Sequence, residues 1–185
     1  MQLPSFPWPS HTSLSVALWV KAGLSTNGFY DFVSKTESSR TQVILRTFNG
    51  RYMAELGTPS GNQSLFSSIS PSANRFDLLV VTYNDPNLRF YINTNMVASK
   101  SAPGGIITNN AVIGIGEKLG VPAIVDDLRF YDHALSMPEI VQLYTDNHTP
   151  VVSPVPGIAA DENSEIRFQA AATDADSPSQ PISFS

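Results

Sequence analysis

The strongest constraint on this chain is a series of short runs in which apolar and polar residues alternate, separated by turn signals. Leu14, Val16, Leu18 and Val20 alternate with Ser15, Ala17, Trp19 and Lys21, and a period of two puts the first set on one face of a strand. The runs Thr41–Phe48 and Arg51–Gly57 flank Asn49-Gly50, a dipeptide that accepts positive φ at both positions of a hairpin turn. Arg75–Tyr83 and Leu88–Asn93 flank Asn84-Asp85-Pro86-Asn87, where proline presets a turn and cannot continue a ladder. Met96–Ser99, Ala111–Gly116 and Ala123–Tyr131 complete the series. Short strands at this spacing predict an all-β sandwich or jelly roll of two antiparallel sheets.

A helical period occurs once. Ser136 is followed three residues later by Glu139 in capping-box spacing, Pro138 falls in the first turn, and Ile140, Leu143 and Tyr144 form one apolar face. This predicts a short helix near 137–145, set on the edge of the sandwich. Beyond it Pro150, Pro154 and Pro156 interrupt any regular pairing, as a stiff linker would. Residues 165–173 then alternate again, so a second β domain is expected to start near residue 150 and to be incomplete at this length.

Charge narrows the function classes. Residues 1–144 hold ten acids and ten bases, whereas residues 145–185 hold six acids and one base, so the net −5 comes from the tail. The body lacks the basic stripe that grips phosphate backbones, which disfavours nucleic-acid binding. With no cysteine there is no disulfide or thiolate chemistry. No apolar run approaches the roughly 20 residues of a membrane span. Asn62-Gln63-Ser64 and Asn147-His148-Thr149 match the glycan-acceptor pattern.

Three blocks carry a resemblance: SLSVALWVKAG, LLVVTYNDPNLRFYINTNMVAS and AVIGIGEKLGVPAIVDDLRFYDHALSMPEIVQLY. In this order they resemble the laminin G-like jellyroll of the concanavalin A-like lectin/glucanase superfamily, over about residues 1–144. The last block, with paired acids, an Arg, an aromatic, then Ala-Leu-Ser and a capped helix, is the most specific. The family's first strand ordinarily precedes the Gln2-Leu3-Pro4 near the start of this chain, so the jellyroll is expected to lack that strand here. The tail is similar to the opening of bacterial cadherin-like or immunoglobulin-like repeats. The domain reading is a jellyroll over 1–146, a linker over 147–156 and a partial repeat over 157–185. Together the resemblances imply a module of an extracellular or cell-surface protein.

Retaining glycosidases place two carboxylates about 5–5.5 Å apart on one face, and the Glu-x-Asp-x-Glu pattern that does so in this superfamily is missing here. No Gly-x-Ser-x-Gly nucleophile elbow accompanies His11 or His133. The chain therefore reads as non-enzymatic. Carbohydrate binding is the usual role the superfamily implies, with a glycan or an extracellular protein as partner, and Trp19, Tyr30 and Tyr52 are platform candidates by residue type. Two other readings remain: a carbohydrate-binding module accessory to a hydrolase, and a spacer without ligand.

Adjacent acids in an apolar strand raise a separate question. On uniform alternation Ile124, Asp126, Leu128 and Phe130 share the core face, so Asp126 needs a partner. The resemblance offers a structural calcium; the alternative is a set of backbone N–H donors from a nearby loop. Asp127 is read as a surface ion-pair partner of Arg129. A second calcium site is expected between the domains, from Asp146 and Asn147 in the linker and Asp174 and Asp176 in the tail, because calcium takes several oxygen ligands.

Overall fold

The computed structural model describes residues 2–3, 11–23, 28–37, 40–116, 123–146, 151–152 and 172–173, with the backbone alone at 2–3, 151–152 and 172–173. Among the described residues, eleven strands and a helix occupy the first part: β1 (Gln2–Leu3), β2 (Ser13–Ala22), β3 (Phe29–Glu37), β4 (Arg40–Phe48), β5 (Arg51–Thr58), β6 (Gly61–Phe66), β7 (Asp77–Asn84), β8 (Asn87–Ile92), β9 (Asn95–Ser101), β10 (Ile113–Ile115), β11 (Ala123–Tyr131) and α1 (Met137–Thr145). They form a six-stranded sheet, β1-β10-β3-β4-β5-β6, and a five-stranded sheet, β11-β2-β7-β8-β9. Every pairing is antiparallel. The expected all-β jellyroll with one short helix is present. The expected strands appear, and β1, β3 and β6 are additions that alternation did not reveal. Two register shifts break the period of β3, while Leu65 and Phe66 are the only apolar residues in β6.

The core lies between the sheets. Leu14, Val16, Leu18 and Val20 from β2 meet Leu79, Val81 and Tyr83 from β7, Leu88 and Phe90 from β8, and Val43, Leu45, Tyr52 and Leu56 from the opposite sheet. Asn49 (φ 47) and Gly50 (φ 74) turn the β4–β5 hairpin in the left-handed region, as the dipeptide predicts.

Sequence following β11 is tied to the outer face of β2. Ser15, fully buried, accepts the Leu135 N–H at 2.8 Å and donates to the His133 carbonyl at 2.9 Å, while Ser13 accepts the Ala134 N–H. β2 is an interior strand, so this segment lies over the sheet rather than at the sandwich edge. At the start of α1 the Glu139 carboxylate reaches back to the Ser136 N–H at 2.7 Å and hydroxyl at 2.6 Å, completing one arm of the capping box. Ile140 and Leu143 are buried as expected; Tyr144 is exposed instead.

The chain divides into two compact units, Met1–Ile140 and Val141–Ser185. In the second, β12 (Val151–Val152) pairs antiparallel with β13 (Ala172–Thr173), at the end of the strand expected there.

Candidate functional site

The outer face of the six-stranded sheet follows from what its strands bury. Because Val43 and Leu45 enter the core, Ile44, Arg46 and Phe48 project outward from β4; Tyr52, Ala54 and Leu56 likewise turn Arg51, Met53 and Glu55 outward from β5. Register then aligns Phe29 with Phe48, Asp31 with Arg46, Arg51 with Phe48, and Phe66 with Met53. Three phenylalanines distant in sequence thus converge. The Phe29 and Phe48 rings stack at 4.4 Å between centroids, and the Phe66 ring stands tilted 5.9 Å from Phe48. Phe29 is 47% and Phe66 46% exposed.

Charge is arranged around the rings. Arg46 Nε lies 2.8 Å from Asp31 Oδ1, with the two side chains only 12% and 4% exposed. The Arg46 guanidinium also sits over the Phe29 ring at 4.7 Å; such a cation–π contact favours one orientation of the ring. The pair is internally neutral and fixes one end of the cluster. At the other end Phe48, Asn49, Arg51 and Phe66 line an open depression of about 310 Å³. The Asn49 side-chain oxygen accepts the Gly28 N–H at 3.3 Å and the Asn49 backbone N–H donates to the Gly28 carbonyl at 3.2 Å, joining the hairpin to the start of β3. Apolar ring surface, a guanidinium and an amide thus converge on one shallow site. That is a surface suited to a ligand with an apolar face and hydroxyl or acidic edges.

The profile of the Concanavalin A-like lectin/glucanases superfamily matches residues 1–141. The chain belongs to this superfamily. No curated protein matches the sequence. Among solved structures, this concanavalin A-like domain is similar to the binding domain of Paraclostridial Mosquitocidal Protein 1, with a TM-score of 0.60 and 18% identity over 72% of this chain and 37% of that one. It is also similar to botulinum neurotoxin type C, whose cell entry depends on interaction with two ganglioside molecules (TM-score 0.63, 16% identity, 78% of this chain and 38% of that one). A third is the binding domain of botulinum neurotoxin DC in complex with rat synaptotagmin II (0.61, 14%, 74% and 37%). At these identities the likeness is one of fold, and it spans well under half of each neighbour.

In this superfamily member the three aromatics chosen by residue type lie away from the phenylalanine cluster. Tyr52 is fully buried and donates to Asp77, so it offers no surface to a ligand. Half-buried Tyr30 flanks Thr47 on the same inward row as Tyr52. Trp19, 8% exposed, lies on the outer face of the other sheet between Asp126 and Leu78. Residue type suggested Trp and Tyr; the usable signal was the outward phase of Ile44-Arg46-Phe48 against Arg51-Met53.

The acids of β11 also differ from the expectation. A bulge sets Asp127 and Leu128 together opposite Leu18, with Asp127 at φ 46. The core face is therefore Ala123 and Val125 before the bulge and Leu128 and Phe130 after it. Asp126 is exposed, as is Ile124, and its Oδ1 accepts the Asp127 N–H at 2.9 Å. No buried carboxylate awaits a partner there. Asp127 pairs with Arg129 at 2.7 Å, as expected. Among the described residues no three His, Cys, Asp or Glu side chains are grouped as a metal site. Asp146 accepts from Gln142; Asn147, Asp174 and Asp176 lie outside the described residues.

Proposed function

We propose that this domain is a non-enzymatic recognition module of an exported or cell-surface protein, and that it binds carbohydrate at Phe29, Phe48 and Phe66 with Arg51 and Asn49. One observation carries the reading: large aromatic side chains stand half in water on an ordered sheet face, beside polar groups that converge on the same depression. Exposed aromatic clusters of this kind mark interaction sites. A pyranose ring matches it chemically, since its C–H face can lie against the rings while the guanidinium and amide take its hydroxyls. The ganglioside and synaptotagmin II ligands of fold neighbours support a glycan first and a protein second.

A glycan array followed by calorimetry on the best oligosaccharide tests this. Phe66→Ala and Arg51→Gln should each weaken binding by about tenfold, the size of one lost aromatic or charged contact, while the far-ultraviolet circular dichroism stays unchanged. Binding that both variants leave intact would place the ligand elsewhere. Turnover of the oligosaccharide by the purified chain would overturn the non-enzymatic reading.

A further inference from the structure

The β4–β5 turn carries chemistry beyond ligand contact. Asn49 is exposed, at φ 47, and is followed by Gly50 at φ 74. Glycine puts no side chain beside its own nitrogen, and among the described residues nothing accepts the Gly50 N–H. The Asn49 side-chain oxygen, by contrast, is engaged, because it accepts the Gly28 N–H at 3.3 Å. An amide carbon whose oxygen rests on a donor therefore stands next in the chain to an unoccupied backbone nitrogen. The sequence holds a second Asn-Gly pair, Asn27-Gly28. There the glycine nitrogen is the one committed to Asn49.

We propose that Asn49 is a site of self-modification, where its side-chain amide is converted to a carboxylate with water as the only co-reactant. The Gly50 nitrogen gives its proton to solvent base and bonds to Asn49 Cγ, closing a small ring within one molecule, so the two groups need no encounter. Negative charge gathers on Oδ1, where the Gly28 N–H already points. The bond from Cγ to Nδ2 then breaks and Nδ2 leaves, with a proton, as ammonia. Water opens the cyclic imide, at Cγ to give aspartate or at the main-chain carbonyl to give isoaspartate, and nothing is oxidised or reduced. Both products put a carboxylate at the depression lined by Phe48, Asn49, Arg51 and Phe66, where the Arg51 guanidinium can take it as a partner. Isoaspartate also lengthens the main chain of the turn that aligns Phe48 with Arg51. The site loses an amide and its guanidinium is neutralised, so conversion weakens ligand binding; this consequence, unlike the chemistry, rests on the carbohydrate reading.

The full chain is aged at mildly alkaline and at mildly acidic pH, folded and in urea, and mapped by peptide mass spectrometry with aspartate separated from isoaspartate. The expected result is the amide-to-acid mass gain at Asn49 in the folded chain, ahead of every other asparagine and faster at the alkaline pH. Asn49→Gln, whose longer side chain closes a larger ring, should convert at least about tenfold more slowly, and Phe66→Ala should leave the rate unchanged. On the oligosaccharide chosen from the glycan array, the aged fraction and Asn49→Asp should both bind about tenfold more weakly than the fresh chain. Should Asn49→Asp not fold, the aged fraction alone reads that loss. Asn49 intact in the folded chain while the chain in urea converts, or conversion confined to Asn27, would overturn the modification. Conversion with affinity unchanged would overturn its effect on the site. A fresh chain that binds no glycan would overturn the carbohydrate reading instead, and the mass result would stand.

Discussion

The hydroxyl of Tyr52 donates to Oδ2 of Asp77 at 2.9 Å, and both residues are fully buried. Asp77 Oδ1 accepts in turn from Arg75 Nε at 2.9 Å and from Asn93 Nδ2 at 3.3 Å. The contact joins β5 of one sheet to β7 of the other. Burial, and then the Asp77 charge, push the Tyr52 phenol well above its ordinary range, so it remains a donor at any pH where the protein is folded. Tyr52→Phe leaves Asp77 with one acceptor atom unserved and should cost about 1–3 kcal/mol. Urea unfolding followed by tryptophan fluorescence measures it. A smaller loss in an Asp77→Asn background would confirm that the two residues act as a pair.

Ser15 serves the segment after β11 in the same way. Ser15→Ala removes an acceptor for Leu135 and a donor to His133, inside a site with no solvent access. The expected loss is about 1–3 kcal/mol, read as a lower urea midpoint with an unchanged slope.

The helix start should make stability depend on pH. His133 Nδ1 lies 3.1 Å from Asp132 and Nε2 3.2 Å from Glu139, and the Asp132 hydrogen bond leads in raising the histidine above its ordinary 6.5. Its contribution is full below pH 6.5 and disappears as pH rises through the raised folded value. Glu139, held down to about 2 by its Ser136 hydrogen bonds and then by His133, contributes fully above 4.5 and loses that contribution as pH falls towards 2. Thermal midpoints should therefore plateau between pH 4.5 and 6.5 from these two groups. His133→Gln should remove the decline on the alkaline side and leave the acidic limb largely in place.

Gly57 has no room for a side chain. A Cβ there would meet the Thr41 carbonyl oxygen and stand 2.9 Å from the Ile107 side chain. The Thr41 contact is backbone and cannot swing aside, so Gly57→Ala should destabilise by about 3 kcal/mol or more, or prevent soluble expression. A midpoint within experimental error of the parent would show that β4 and β5 can separate at this end.

Asp126→Ala offers the contrast. The side chain is exposed and its hydrogen bond is to the adjacent N–H, so the change should stay within about 0.5 kcal/mol. A parallel melt with calcium tests the cation reading: a calcium-dependent gain in midpoint that Asp126→Ala removes would support it.

How much of this was legible beforehand depended on whether the information was local. The Asn49-Gly50 and Asn84–Asn87 turns, the phase of β2 and the Ser136–Glu139 cap each depend on a few neighbouring residues, and each was readable. β3 was missed because register shifts after Asp31 and Lys35 destroy its alternation. The faces of β11 were misassigned because period two assumes one residue per ladder position, and the bulge violates that between Asp126 and Arg129. The phenylalanine cluster was hidden for another reason. Phe29, Phe48 and Phe66 meet only after β3, β4, β5 and β6 have paired in this order, and nothing near any one of them in the sequence announces the other two.

The bulge in β11 also bears on how this strand tolerates changes in length. Val125 opposes Val20, Phe130 opposes Val16, and Asp127 shares the position of Leu128 opposite Leu18. Excising Asp127 would therefore leave Val125, Leu128 and Phe130 facing the core partners they have now, in an uninterrupted ladder. Removing any neighbouring residue while keeping the bulge would turn half the strand inside out. β11 thus holds one spare residue, at a place where a single-codon deletion could pass without moving the core and where only the partner of Arg129 would be given up.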